Sequence, residues 1–189
     1  MFIFLIPLWA GFALVGASAF TAAYSRLLGL RGGQTATVIL RNFLGIPLFF
    51  YGFVMAFAAP APFLFTPVAA TAVIGWLLIA AGSIPFFWGH FIIGRPTHMP
   101  SVGDALVRRS LYAYVRHPIY GGGLVMLTGL SLVWPKLTFV IASISGFVWL
   151  FIQARVEEID LLQRMPDYRE YMKEVHSRFL PGFGKRART

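Results

Sequence analysis

Five apolar runs separated by polar stretches organise the chain. They cover residues 2–24, 42–65, 68–93, 120–134 and 137–153, and the second is broken at its far end by Pro60 and Pro62. A hydrocarbon core about 30 Å thick needs roughly 20 apolar residues in a helix, so the first three runs predict full spans. The last two are shorter and joined by a tight turn at Pro135 and Lys136, which predicts a helical hairpin. Pro47 marks a kink or a first-turn proline, which membrane helices tolerate. No basic stretch precedes the apolar core of the first run, so it is expected to stay in the membrane and not to be removed as a signal. Beyond the fifth run, Ile159, Leu161, Leu162 and Met165 recur among charges, the pattern of an amphipathic helix resting on lipid headgroups. The expectation is an all-α integral membrane helical bundle of about five transmembrane helices, the last two a hairpin, plus a cytoplasmic C-terminal amphipathic helix. Residues 1–189 form one membrane domain, with three spans in 1–93 and the chemistry in 94–189.

Composition strengthens this picture. Only 12% of the 189 residues are charged, against about 25% in soluble domains, and the mean hydropathy is +0.72. There is no cysteine, which excludes disulfides and thiolate metal sites. The net charge of +9 does not point to nucleic acid, because the basic residues lie between apolar runs, where anionic headgroups and topology account for them. Arg26, Arg31 and Arg41 fall in the first predicted loop, and Arg95, Arg108, Arg109 and Arg116 in the third. The C-terminal region holds Arg155, Arg164, Arg169, Lys173, Arg178, Lys185, Arg186 and Arg188. Five spans put these fifteen of sixteen basic residues on one face and leave Lys136 on the other, which orients the N-terminus outside and the C-terminus in the cytoplasm.

Two stretches concentrate the polar groups. In residues 106–123, LVRRSLYAYVRHPIYGGG, Pro118 disfavours helix at His117 and donates no backbone hydrogen bond. The chain should break there and leave the imidazole free, with Gly121, Gly122 and Gly123 allowing close approach by a helix or a ligand. An interfacial helix ending at a proline, with the glycines serving packing, accounts for the same residues. In residues 155–171, RVEEIDLLQRMPDYREY, Arg155 and Glu158 are spaced to share a helix face where the fifth run leaves the bilayer. Asp160, Asp167, Glu170 and Glu174 read as a solvated face, and His176 as part of a solvated tail. The five tryptophans read as interfacial or packing aromatics. His90 and His98 fit no metal spacing with His117, so no metal site is expected.

Together the two stretches resemble the isoprenylcysteine carboxyl methyltransferase family, part of a wider group of membrane methyltransferases that includes phospholipid N-methyltransferases. The resemblance covers about residues 105–183. It rests on Leu106, Val107, Tyr112, Arg116, His117, Pro118, Tyr120 and Gly122, then, across the hairpin, on Arg155, Glu157, Glu158, Leu161, Leu162, Tyr168, Tyr171 and residues 178–181. RHPxY alone is a weak motif, and the acidic pair some 40 residues later makes it fairly specific. Two departures bear on the substrate more than on the cofactor. Ser110 and Leu111 stand where the family often has Gly-Pro or Gly-Ile, and Met165 and Pro166 replace a Phe-Gly.

The resemblance implies an S-adenosylmethionine pocket at the cytoplasmic face, as in small prokaryotic inner-membrane members of the family. Tyr112, Arg116, His117, Pro118, Tyr120, Gly122, Glu157 and Glu158 are the implied cofactor-binding residues. His117 and Tyr120 would hold the adenosine or amino-acid part, and Glu158, with Glu157, would meet a cationic part or hold Arg155. Arg155 and Glu158 are the implied catalytic pair, with Arg155 orienting an anionic acceptor through a bidentate contact. The bilayer would deliver a lipophilic acceptor, most naturally a carboxylate of isoprenylcysteine type. A phospholipid amine is the first alternative, and a non-enzymatic membrane protein or a nicotinamide-dependent reductase the second. A transporter is disfavoured because the first three predicted spans are expected to carry no buried ionisable residue to mark a path.

Overall fold

The computed structural model describes residues 2–182, and the basic end GKRART, expected to touch anionic lipid, lies outside the described residues. The helices are α1 (Leu5–Ser18), α2 (Thr21–Val38), a π-helical segment (Ile39–Gly45), α3 (Ile46–Ala58), α4 (Ala69–Ile93), α5 (Pro118–Val133), α6 (Leu137–Arg164) and α7 (Tyr168–Glu174). Among the described residues three helical stretches are long and apolar enough to cross a membrane: Thr21–Ala58, which is kinked at Gly29, Ala69–Ile93 and Leu137–Arg164. The shorter apolar helices α1 and α5 complete a bundle of five rods. Large apolar side chains face outward: Ile6, Phe43, Ile84 and Phe91 are each more than two-thirds exposed, as lipid-facing positions would be.

The first predicted span and loop are corrected. The run 2–24 breaks after α1, and residues 25–41 are helical, not a loop. Within α2 the chain turns at Gly29, whose φ of 74° is open to glycine and strained for other residues. It then folds back so closely that a Cβ on Gly33 would lie 2.5 Å from the Ser25 backbone. The second long helix therefore starts well before residue 42 and encloses Arg41. The π-helical segment has a local cause in Pro47, which has no N–H to give to the carbonyl four residues back. Ile46 N–H bonds instead to the carbonyl of Arg41, five residues back.

Small residues decide which helices meet. Gly75, Gly82 and Gly89 recur every seven residues along α4, with Gly122 and Gly129 at the same interval on α5. A Cβ on Gly82 would lie 2.6 Å from the Gly122 carbonyl, and one on Gly129 2.5 Å from that of Gly75. The two backbones thus touch, the geometry by which small residues bring membrane helices together. On the other side of the bundle, Gly11 and Gly52 bring α1 and α3 together in the same way. α6 packs against α1, α3 and α5, whereas α3 and α4 do not pack on each other. The bundle is two glycine-packed pairs joined through α6. The turn between α5 and α6 falls where the hairpin was expected, but the closest pair is α4 with α5.

The two ends of the bundle differ. At one end Lys136 donates to the Phe57 carbonyl, Thr138 to that of Ala56, and the chain pairs Leu64 with Pro135. The opposite end holds the polar network. Asp160, expected on a solvated face, is 2% exposed. It accepts a 2.8 Å bond from Ala22 N–H in the first turn of α2 and pairs with Arg164 at 2.7 Å. Arg164 in turn reaches the Ser101 carbonyl and Asp104, which ties the loop before α5 to α6.

Candidate active site

The site begins at the break between Ala113 and α5. Pro118 occupies the first turn of α5, where its missing N–H costs nothing, and His117 is left outside the helix as its cap. The amides freed by that break do not go unpaired: Arg116 N–H bonds to the Ser177 carbonyl and His117 N–H to that of Arg178. The C-terminal segment therefore lies across the start of α5, and the Phe179 carbonyl sits where a side chain on Gly121 would be. One departure from the family pattern has a visible consequence. Ser110, where the family often has glycine, holds φ at 57°, a conformation unfavourable for a residue with a Cβ, and its hydroxyl accepts from Trp88 Nε1 at 3.1 Å.

Glu158, 3% exposed, is the centre of the charge network. It receives Arg116 Nε at 2.9 Å, Arg178 Nη2 at 2.8 Å and His117 Nε2 at 3.3 Å. Arg116 also donates to the Val175 and His176 carbonyls. A buried carboxylate is tolerable only with such complete pairing. Beside it Glu157 accepts a short hydrogen bond from the Tyr120 hydroxyl and another from Gln153 Nε2, and lies 3.9 Å from His117 Nδ1. The rings of His117 and Tyr120 are parallel within 2° at a centroid distance of 5.4 Å.

Three tyrosines close the same end. Tyr171 Oη donates to the Tyr112 carbonyl at 2.7 Å and Tyr112 Oη to that of Gly89 at 3.4 Å, while Tyr168 Oη is buried with no partner in the structure. Burial raises the pKa of Tyr112, Tyr168 and Tyr171, so all three remain neutral hydroxyl donors at physiological pH.

These groups border a cavity of about 640 Å³. Tyr112, Arg116, His117, Tyr120, Glu157, Tyr168 and Tyr171 line its polar end, and Phe49, Phe53, Leu127, Leu130, Phe139 and Trp149 line an apolar shaft running into the bundle. Phe139 and Glu157 are eighteen residues apart on α6, so the lining extends about 27 Å along that helix at 1.5 Å per residue.

Of the expected site residues, the structure brings Tyr112, Arg116, His117, Tyr120 and Glu157 to the cavity wall. Glu158 stands behind the wall and holds three of its neighbours. Pro118 acts on the backbone, and Gly122 faces α4, where a Cβ would lie 2.5 Å from the Gly82 carbonyl. Arg155 is not brought to the others: it is exposed and outside the cavity lining, and the ion pairs of Glu158 are with Arg116 and Arg178. Their three-residue spacing is helical, but Glu158 turns inward while Arg155 turns outward. Sequence reasoning missed Arg41 and Gln153, and Arg178 had been noted only as part of a motif. A lone arginine beside the start of an apolar run was the available signal for Arg41.

The fold and this cavity define a helical integral membrane protein with a polar site that continues into an apolar shaft. Residues 70–165, just over half of the chain, match the phospholipid methyltransferase family model, and the chain belongs to that family. The family falls within the wider membrane methyltransferase group to which the motifs pointed, and such methyltransferases generally use S-adenosylmethionine. No curated protein and no solved structure matches the chain.

Proposed function

We propose that the protein transfers a methyl group from S-adenosylmethionine to a lipophilic acceptor, the favoured acceptor being a carboxylate of isoprenylcysteine type. The observation that carries this reading is the continuity of the cavity, with the motif residues at its polar end and phenylalanines along its shaft. The residues suit the cofactor: a carboxylate for an ammonium group, a stacked ring pair, and the unpartnered Tyr168 hydroxyl at the wall. When bound there, S-adenosylmethionine supplies a methyl group already activated on a sulfonium.

The chain's own part is then positioning and exclusion of water. His117, Tyr120 and Tyr112 hold the adenosine or amino-acid part, and Glu157 accepts from cationic donors. Glu158 is a positioning residue that fixes Arg116, His117 and Arg178. The shaft takes the acceptor's tail, supplied from the bilayer. In this reading the polar end is cytoplasmic and the N-terminus outside, in keeping with the basic residues gathered at that end.

A carboxylate acceptor needs no general base. A phospholipid amine has to lose a proton, and Glu157 is a wall carboxylate able to receive it. That residue, with the family match, favours phospholipid N-methylation as the second reading. The test supplies methyl-labelled S-adenosylmethionine to the protein in lipid nanodiscs, with N-acetyl-S-farnesylcysteine or with phosphatidylethanolamine. Base-labile label on the farnesylated acid is expected. Base-stable label on phosphatidylethanolamine would transfer the assignment to the second reading, and folded protein labelling neither would contradict both.

A further inference from the structure

Three arginines line the cavity: Arg41, Arg116 and Arg164. Two are neutralised, Arg116 by Glu158 and Arg164 by Asp160 and Asp104. Arg41 is half-buried, and among the described residues no carboxylate or carbonyl takes a hydrogen bond from its guanidinium. A charge held partly out of water without a partner is costly, and an anion to accept from its five N–H donors is what it lacks. Its place is also unusual. It lies in the π-helical segment, within electrostatic range of Tyr120 and His90, which stand on the opposing wall. Eight and twelve residues further along the same continuous helix, Phe49 and Phe53 line the apolar shaft. One helix therefore offers a cation at the polar end and a greasy wall beneath it. α3 and α4 make little or no contact with each other, and the cavity lining between them is Ile46 and Phe50 on one side and Phe86 and Ile93 on the other.

We propose that Arg41 is the anion anchor for the acceptor, so that the cavity selects a long-chain amphiphile whose head carries a carboxylate or a phosphate, with its tail in the shaft. Calling that amphiphile the acceptor rests on the methyltransferase reading above. The binding itself does not. Carboxylate and phosphate present the same oxyanion geometry to a guanidinium fork, and the experiment separates them.

The test measures binding of N-acetyl-S-farnesylcysteine and of its methyl ester, which has the same tail and no charge, to protein in phosphatidylcholine nanodiscs. Tryptophan fluorescence serves as the readout, since Trp149 lines the cavity. A second arm compares phosphatidic acid with diacylglycerol. Wild type should prefer the anionic member of at least one pair by roughly tenfold or more, as a hydrogen bond to a charged group warrants. Arg41→Gln should abolish that preference and leave the neutral member unchanged, while Arg41→Lys should retain part of it. The arm that shows the effect identifies the head group. Equal binding of acid and neutral partner by wild type in both arms, or a preference that survives Arg41→Gln, would overturn the proposal. So would a loss in Arg41→Gln that falls on S-adenosylhomocysteine instead. A folded wild type that discriminates the anion but transfers no methyl would instead fault the enzymatic reading and leave the anchor standing.

Discussion

The two walls of the cavity are built by the same packing device and finished with opposite chemistry. Both the α4–α5 pair and the α1–α3 pair bring backbones together through glycine. The start of α5, backed by α6, presents a hydrogen-bonded and ion-paired polar network around Glu157 and Glu158. The α1–α3 pair presents Phe12, Phe49 and Phe53, and the π-helical segment that leads into α3 adds Arg41, which has no counter-ion among the described residues. A paired network is held in one geometry before any ligand arrives, which suits a cofactor with many polar groups. A greasy wall with a free cation suits an amphiphile that varies in its tail.

If the walls differ in this way, substitutions should separate them. Glu158→Ala leaves the buried Arg116 and the partly exposed Arg178 without their carboxylate, and should cost about 3–5 kcal/mol with loss of cofactor binding. Chemical or thermal unfolding in detergent reads the first, and calorimetry the second. Gly82→Leu drives a side chain into the Gly122 carbonyl and should destabilise by about 1–3 kcal/mol or more. Gly123→Ala, whose Cβ meets only Leu150 at 3.7 Å, should change stability by less than about 0.5 kcal/mol. Phe53→Ala should raise the acceptor KM roughly tenfold and leave S-adenosylhomocysteine affinity unchanged, since it widens only the shaft. Equal effects on both ligands would dissolve the distinction between the walls. Arg155→Ala, on the exposed side of α6, should alter neither ligand and shift stability within about 0.5 kcal/mol.

What could be read from the chain divides by the range of the forces involved. The third and fourth apolar runs became α4 and α5 close to their expected bounds, because hydropathy is a local property, whereas the fifth became only the first part of α6, which continues without a break through the expected amphipathic segment to Arg164. The break at His117 was legible for the same reason, since Pro118 acts on its immediate neighbour. Residues 25–41 were misread because three arginines and three glycines resemble a loop, while their helicity is settled by the fold-back at Gly29 and contacts with Gln163 and Met99. Asp160 shows the limit most plainly. It sits among charges on an apparently amphipathic helix, yet it is buried because the first turn of α2, 138 residues earlier in sequence, has a free N–H to offer it. Nothing near Asp160 in sequence announces that partner. The outward position of Arg155 was illegible for a related reason: spacing places two residues on neighbouring faces, but only the packing of α6 decides which face turns inward.

The central claim is that the polar wall is a preformed S-adenosylmethionine site, and calorimetric binding of S-adenosylhomocysteine to purified protein in detergent tests it most directly. Micromolar binding by wild type, reduced at least tenfold by His117→Ala and by Glu157→Gln in variants that remain folded, and unaffected by Arg155→Ala, is the predicted result. A folded wild type that does not bind, or binding that survives loss of both His117 and Glu157, would contradict the account.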